Sequence, residues 1–477
     1  MKLARVAVFA SLLLSGCART VTLLHFSDYH AHAVPFYANG ERDAAGVARA
    51  VAYVEPLSRR DDVLVFNGGD TINRGAPAFS DKYRCIEWPW WNGIVDAMAF
   101  GNHDADYGAA VFRGCAESAA YPILSANVTN SSGAPLFLHR GKPYAVFETR
   151  GVRIGVFALA GDDFAQLLKP ETSPVDGVRF ANREETARNV VRTLRQVEKA
   201  DAVVLIGHAH NHEDEALAKA VPGIDLMLGT HSHIVADLHR IEGTSTWMIA
   251  SGQYLEHLSR VELQFSGRRL VAVSGQLVRM SSGMHEDQAT KEKIAALQRE
   301  LESDPDFAPL FVVAGELDRE LGIDGLNEKN APLATFVMDI VREAANADAA
   351  ISTSSSFRAA LPPGPVRESD LRDALPYDNA ILRLEVDGAT FASILDRAIS
   401  LRGTDSFLQL SGVALGITGA ASLVAGSAIV PSKSYSIATT DYLVKASPYR
   451  DLFAELIIVD TGAKVRSEVR DRIASKR

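Results

Sequence analysis

Cysteine is scarce: three residues in a chain of 477, at Cys17, Cys85 and Cys115. No basic tract offsets the net charge of −10, which argues against a nucleic acid polymer as the main partner. Past the N-terminus no apolar run is long enough to cross a bilayer, and there is no internal repeat or low-complexity tract. What remains is 47% hydrophobic and 8% aromatic, the make-up of a soluble globular protein. At 477 residues it is too long for one ordinary core, so two domains are expected.

The N-terminus reads as a secretion signal over residues 1–17. Lys2 and Arg5 flank the start of the apolar stretch Val6–Leu14, which is too short for a membrane helix. Leu14-Ser15-Gly16-Cys17 resembles the bacterial lipobox, which implies a lipidated Cys17 as the first mature residue; ordinary signal cleavage beside an incidental cysteine is the alternative. Acyl chains contribute ~0.8 kcal/mol per buried CH₂, enough in triacylated form to anchor the protein. Ala18 stands where an inner-membrane retention signal has Asp, so the outer membrane is the expected location. Cys85 and Cys115 bracket Gly101–Asp106. In an exported protein they can pair, contributing ~3–4 kcal/mol, or stay as two buried thiols.

Five short apolar runs each end on a polar or Gly-containing turn. Val21–Phe26 precedes Asp28 and His30, Val63–Phe66 precedes Gly69-Asp70, and Ala97–Phe100 precedes Gly101-Asn102-His103-Asp104. Val203–Ile206 precedes Gly207-His208, and Leu226–Leu228 precedes Gly229-Thr230-His231-Ser232-His233. Such runs predict buried strands. Ligands of open α/β sheets sit beyond the carboxyl ends of strands, so these side chains should gather at one edge of one sheet. Imidazole and carboxylate without thiolate suit Zn, Mn, Fe or Co and exclude a soft Cys site or an all-oxygen Ca site. Asp28, His30, Asp70, Asn102, His208, His231 and His233 are too many for one tetrahedral ion. They fit two divalent ions if Asp70 bridges, ~3.5–4 Å apart, a pairing suited to a phosphate ester. His103, with Asp106 three residues on, is left as a candidate general acid or transition-state stabiliser.

These five motifs together resemble the calcineurin-like metallophosphoesterases, and more narrowly the bacterial 5'-nucleotidase/UDP-sugar hydrolase family. Asp106 fills the place of that family's Asp three residues past the motif His, and Pro376-Tyr377-Asp378-Asn379 and Phe407–Val413 resemble segments of its C-terminal domain. The resemblance runs from about Val21 onward. It implies a layered α/β domain of sandwiched sheets flanked by helices (18–285), a linker helix (286–312) and a smaller α/β substrate domain (313–477). One ion is then expected on Asp28, His30, Asp70 and His233, the other on Asp70, Asn102, His208 and His231. The family's phosphate Arg and its two base-stacking rings are expected at Arg358, Phe407 and Tyr449. The Ser/Thr-rich turn before Arg358 replaces a Gly-rich one, and the glycines before the second ring are missing near Tyr449. The implied reaction is hydrolysis of a nucleotide to nucleoside and phosphate. A UDP-sugar, a 2',3'-cyclic nucleotide, a sulfur-carrier conjugate or a non-catalytic metal-containing binding lipoprotein remain alternatives.

Other features have plainer readings. His212 should open an exposed helix with an acidic first turn, leaving His210 and His212 outside the metal set. Trp88-Pro89-Trp90-Trp91 should pack under its neighbouring loop or form a contact surface. His257 reads as structural, and Arg466–Arg477 as an exposed helix.

Overall fold

The computed structural model describes residues 18–475 except Ala76, residues 169–176, residues 417–421 and Ala446. The expected signal and the lipobox at Cys17 therefore lie outside the described residues. The five apolar runs all form strands, observed as Ala18–Phe26, Val63–Asn67, Ala97–Ala99, Ala202–Leu205 and Leu226–Gly229. They do not share one sheet. The first three lie in an eight-stranded sheet, where Ala18–Phe26 runs parallel to Val63–Asn67 and antiparallel to His257–Ser266. The last two lie in a six-stranded sheet, parallel to each other and beside the hairpin strands Ala145–Thr149 and Val152–Phe157.

The expectation of one sheet edge is thus corrected to two. Runs apolar on both faces need cover on both faces. Val21, Leu23, Phe66 and Ala97 of one sheet pack with Ile154, Val156, Val204, Leu226 and Leu228 of the other, all buried. This face-to-face packing aligns the carboxyl ends of the five strands along one rim. Helices cover the outer faces, among them Val47–Ser58 and Arg183–Gln196; Asn182 caps the latter by accepting from the Glu185 N–H at 2.8 Å.

Cys85 and Cys115 form a disulfide with Cα atoms 5.7 Å apart, a separation ordinary for such a bond. It ties the Trp-rich segment to helix Ala109–Ser118. Trp88 and Trp91 are fully buried, and Trp91 lies 4.7 Å from Phe26 between ring centroids. Helix Gln288–Ser303 is not merely a solvated linker: its Ile294 and Leu301 join the first domain's core, and Lys293 lies over the Trp90 ring at 4.3 Å.

The second domain is built on a five-stranded sheet ordered Leu408–Ser411, Ala349–Thr353, Ser434–Thr440, Ala380–Asp387 and Ile458–Lys464. Helices Pro332–Ala344 and Val465–Ala474 pack together against it. The C-terminal segment was expected to be simply exposed, but Val465, Val469 and Ile473 are buried, which makes it an amphipathic part of the core. Among the described residues no helix is long and apolar enough to cross a membrane.

Candidate metal centre

The strand-end turns need unusual backbone. Asp28, His30, Asp70, His231 and His233 all have φ between 50° and 58°, in the left-handed region. Each such residue costs about 1–3 kcal/mol, a strain that clusters at functional sites. Glycines let the turns meet: a Cβ on Gly101 would stand 2.2 Å from Asp70 Oδ1, and one on Gly69 (φ +94°) 2.8 Å from the Gly101 nitrogen. Asp104, for which the sequence suggested no role, braces the crossing. Its buried carboxylate accepts the N–H groups of Gly101 at 2.9 Å and Thr71 at 2.8 Å. It was visible inside the Gly-Asn-His-Asp motif, but its partner Thr71 comes from another turn.

The expected ligands form two clusters, each with its ligand atoms within 4.8 Å of one another: Asp28, His30 and His233, and Asp70, His208 and His231; Asp163 and His210 group with His231 in the same way. His233 Nε2 lies 3.3 Å from Asp28 Oδ1 and 3.0 Å from His30 Nε2. His208 Nε2 lies 3.1 Å from Asp70 Oδ2 and 3.7 Å from Asp28 Oδ1. Asp70 is also 3.9 Å from His30, so it stands between the clusters. Asn102 is buried and starts the turn in which the His103 N–H donates to Asp70 Oδ1 at 2.8 Å.

These residues fit divalent cations. Asp28 Oδ1 and Asn102 Oδ1 are buried without a hydrogen-bond partner, and leaving such atoms unsatisfied is costly. Burial holds His30 and His233 well below the ordinary imidazole range, in the neutral form a metal requires. Burial opposes charge on His208 too, but Asp70 and then Asp28 push its pKa up to about 10. The two carboxylates thus demand positive charge at this point, which a divalent ion answers while displacing a proton. His208 Nδ1 faces the Gly68 carbonyl at 2.7 Å, which fixes the ring orientation.

His103 stands beside both clusters but in neither. Its Nδ1 lies 2.7 Å from Asp106 Oδ2, and its ring is 5.2 Å from that of His30. Burial works against its charge; Asp106, then Asp70 and Tyr377, outweigh this and raise its pKa well above the ordinary range. This direction favours the protonated imidazole beside the rim.

Arg358 reaches this rim from the second domain. Its Nη1 contacts His233 Nδ1, its Nε donates to the Ser355 carbonyl at 2.8 Å, and its own carbonyl accepts from Gln253 of the first domain at 2.9 Å. The expected stacking rings are not there. Phe407 is 1% exposed, with the Arg402 guanidinium 5.5 Å from its ring centroid. Tyr449 is 0% exposed, packed with Phe391 and Phe453, and its hydroxyl donates to the Ser406 carbonyl at 2.9 Å. Both assignments are corrected: Tyr449 completes the second core, Phe407 is likewise closed to solvent, and neither offers a face to a base. Among the described residues the exposed aromatic rings are Tyr377 at 42% and Tyr442 at 39%, both in the neighbourhood of Arg358. Tyr377 lay within a segment noted in the sequence, and Tyr442 lies in Thr440-Asp441-Tyr442-Leu443, just ahead of the expected ring at Tyr449.

Residues 21–235 match the family model for calcineurin-like phosphoesterases, and residues 313–448 match that for the 5'-nucleotidase C-terminal domain. Protein UshA of Yersinia enterocolitica is 25% identical over 476 residues, covering 88% of this chain and 84% of that protein. A 5'-nucleotidase of Vibrio cholerae is 24% identical over 478 residues, covering 86% and 83%. The fold is shared with a 5'-nucleotidase precursor from Thermus thermophilus, at TM-score 0.75 and 22% identity over 96% of this chain and 97% of the other. It is shared also with the sulfate thiohydrolase SoxB of Thermus thermophilus, at TM-score 0.72 and 18% identity over 95% and 94%. The metal-ligating rim thus lies in a calcineurin-like phosphoesterase domain that is followed by a 5'-nucleotidase C-terminal domain, and the chain is a metal-dependent phosphoester hydrolase.

Proposed function

We propose that this hydrolase uses two divalent ions (Zn, Mn, Fe or Co) and removes phosphate from nucleotides outside the cytoplasm, as a 5'-nucleotidase. The observation that carries the substrate class is Arg358, a guanidinium brought from the second domain to His233 with the exposed rings of Tyr377 and Tyr442 nearby. A guanidinium suits phosphate, and exposed aromatic faces suit a base. Relatives named 5'-nucleotidase support the same reading.

Asp28, His30, Asp70 and His233 would hold one ion, and Asp70, Asn102, His208 and His231 the other. When bound, such a pair supplies Lewis-acid charge to the phosphoryl group and activates water. Arg358 binds and orients the phosphate. His103, held by Asp106, stabilises the charge developing on phosphorus or gives a proton to the departing oxygen. Export and lipid anchoring through Cys17 are part of the proposal. The Cys85–Cys115 disulfide supports export, because such bonds persist in oxidising compartments.

The test is phosphate release by purified protein reconstituted with Mn or Zn. Substrates are nucleoside 5'-monophosphates, a UDP-sugar, a 2',3'-cyclic nucleotide and p-nitrophenyl phosphate. The highest kcat/KM is expected for the nucleoside monophosphates; a preference for the baseless ester would move the function away from nucleotides. Asp70→Asn should lower metal content from near two towards one or none.

A further inference from the structure

His231 has a partner that none of the five motifs supplies. Asp163 precedes helix Phe164–Leu167, beyond the strand Val152–Phe157, and its Oδ2 lies 3.0 Å from His231 Nε2. The same oxygen lies 3.4 Å from His210 Nε2, and the His210 and His231 ring centroids are 4.3 Å apart. His210 Nδ1 in turn lies 3.7 Å from Asp405 Oδ2 of the second domain. The Asp405 carbonyl accepts the N–H of Ser355, in the turn that leads to Arg358. A chain of alternating imidazoles and carboxylates, His231–Asp163–His210–Asp405, therefore runs from the metal rim across the domain boundary.

An imidazole that gives one nitrogen to a cation must carry its hydrogen on the other, and the acceptor of that hydrogen sets both tautomer and ring orientation. For His208 the acceptor is a backbone carbonyl. For His231 it is a carboxylate, which raises the basicity of the ligating nitrogen further. Resting on the two-ion reading above, we propose that Asp163 is a positioning residue for His231 in the second metal site. His210 and Asp405 extend that support to the second domain, so occupancy of the site and seating of that domain favour each other.

The test is equilibrium titration of the full-length, metal-stripped protein with Co²⁺ or Mn²⁺, read by calorimetry and by the visible spectrum of bound Co²⁺. Asp163→Ala should weaken the second equivalent about 10–100-fold and alter its spectrum while the first equivalent is unchanged, which also shows that the variant is folded. Asp163→Asn, which keeps an acceptor oxygen, should recover part of the loss. His210→Ala and Asp405→Ala should each weaken the second equivalent by a smaller factor. An unchanged second equivalent in Asp163→Ala overturns the proposal. So does a third equivalent in the wild type that Asp163→Ala or His210→Ala abolishes, since Asp163, His210 and His231 would then be a metal site themselves. A single equivalent in the wild type would sink the two-ion reading instead, and the positioning role with it.

Discussion

In the proposed mechanism His103 separates catalysis from metal binding. It touches Asp106 and the edge of the centre without joining either cluster. His103→Ala should therefore keep both metals while losing ~10²–10⁴ in rate, the span typical of a general acid–base group. Asp106→Ala should lose less, because the imidazole remains. Metal analysis beside kinetics checks both, and metal lost in proportion to activity would assign His103 to the ligand set. The second domain's aromatic residues divide by burial in the same way. Phe407→Ala should cost about 3–5 kcal/mol of stability, as truncation of a buried Phe does, and impair baseless and base-bearing esters alike. Tyr442→Ala should leave stability nearly unchanged and raise KM for a nucleoside monophosphate about five- to hundredfold, from the ~1–3 kcal/mol of one stacking contact. A parallel loss on p-nitrophenyl phosphate would deny Tyr442 that role.

At the scale of the element, the turns carry the chemistry and glycine permits their crossing. Gly101→Ala would set a methyl group against Asp70 Oδ1 and the Asp70 nitrogen, 2.2 and 2.3 Å away with no flexible neighbour to yield. The variant should fold, since Gly101 follows its strand, yet bind both ions poorly if Asp70 serves each as proposed. Metal content near two would refute this. The Trp88–Trp91 turn begins beside a buried acid: Glu87 is fully buried and its pKa is pushed up to about 8 by that burial, with Tyr29 the lesser, opposing influence. The folded state thus holds a proton that the unfolded state releases near the ordinary value of 4.5. Linkage then makes stability fall as pH rises from about 4.5 to about 8, where it levels off. Glu87→Gln should flatten that decline in denaturant titrations run across the interval; an unaltered slope would mean that Glu87 is ionised in the folded protein.

At the scale of the whole molecule, the centre is complete in the first domain, and the second domain adds Arg358 and the exposed tyrosines. Asp81 takes part in the joint by accepting from Arg372 of the second domain at 2.6 Å, and Arg42 donates to the Pro363 carbonyl at 2.7 Å. The proposed lipid anchor is tested at this scale too. Cys17→Ser should move the protein from the detergent phase to the aqueous phase or leave the signal uncleaved, while activity in detergent extracts stays the same. Wild-type protein found wholly in the aqueous phase would remove lipidation from the proposal.

The sequence by itself determined the ligand types, their place at strand ends and the pairing of His103 with Asp106. Those are local matters: an apolar run of three to six residues, a turn that opens it to solvent, and a three-residue spacing along one turn. The number of sheets, the burial of Phe407 and Tyr449, the exposure of Tyr442 and the link from Asp163 to Asp405 were decided only by tertiary structure. Phe407 and Tyr442 have similar apolar neighbours in the chain, and what separates them is which strands and helices close over each ring. Asp163 and His231 are 68 residues apart and come from different connections, so only the packing that aligned the strand ends could bring them within 3.0 Å.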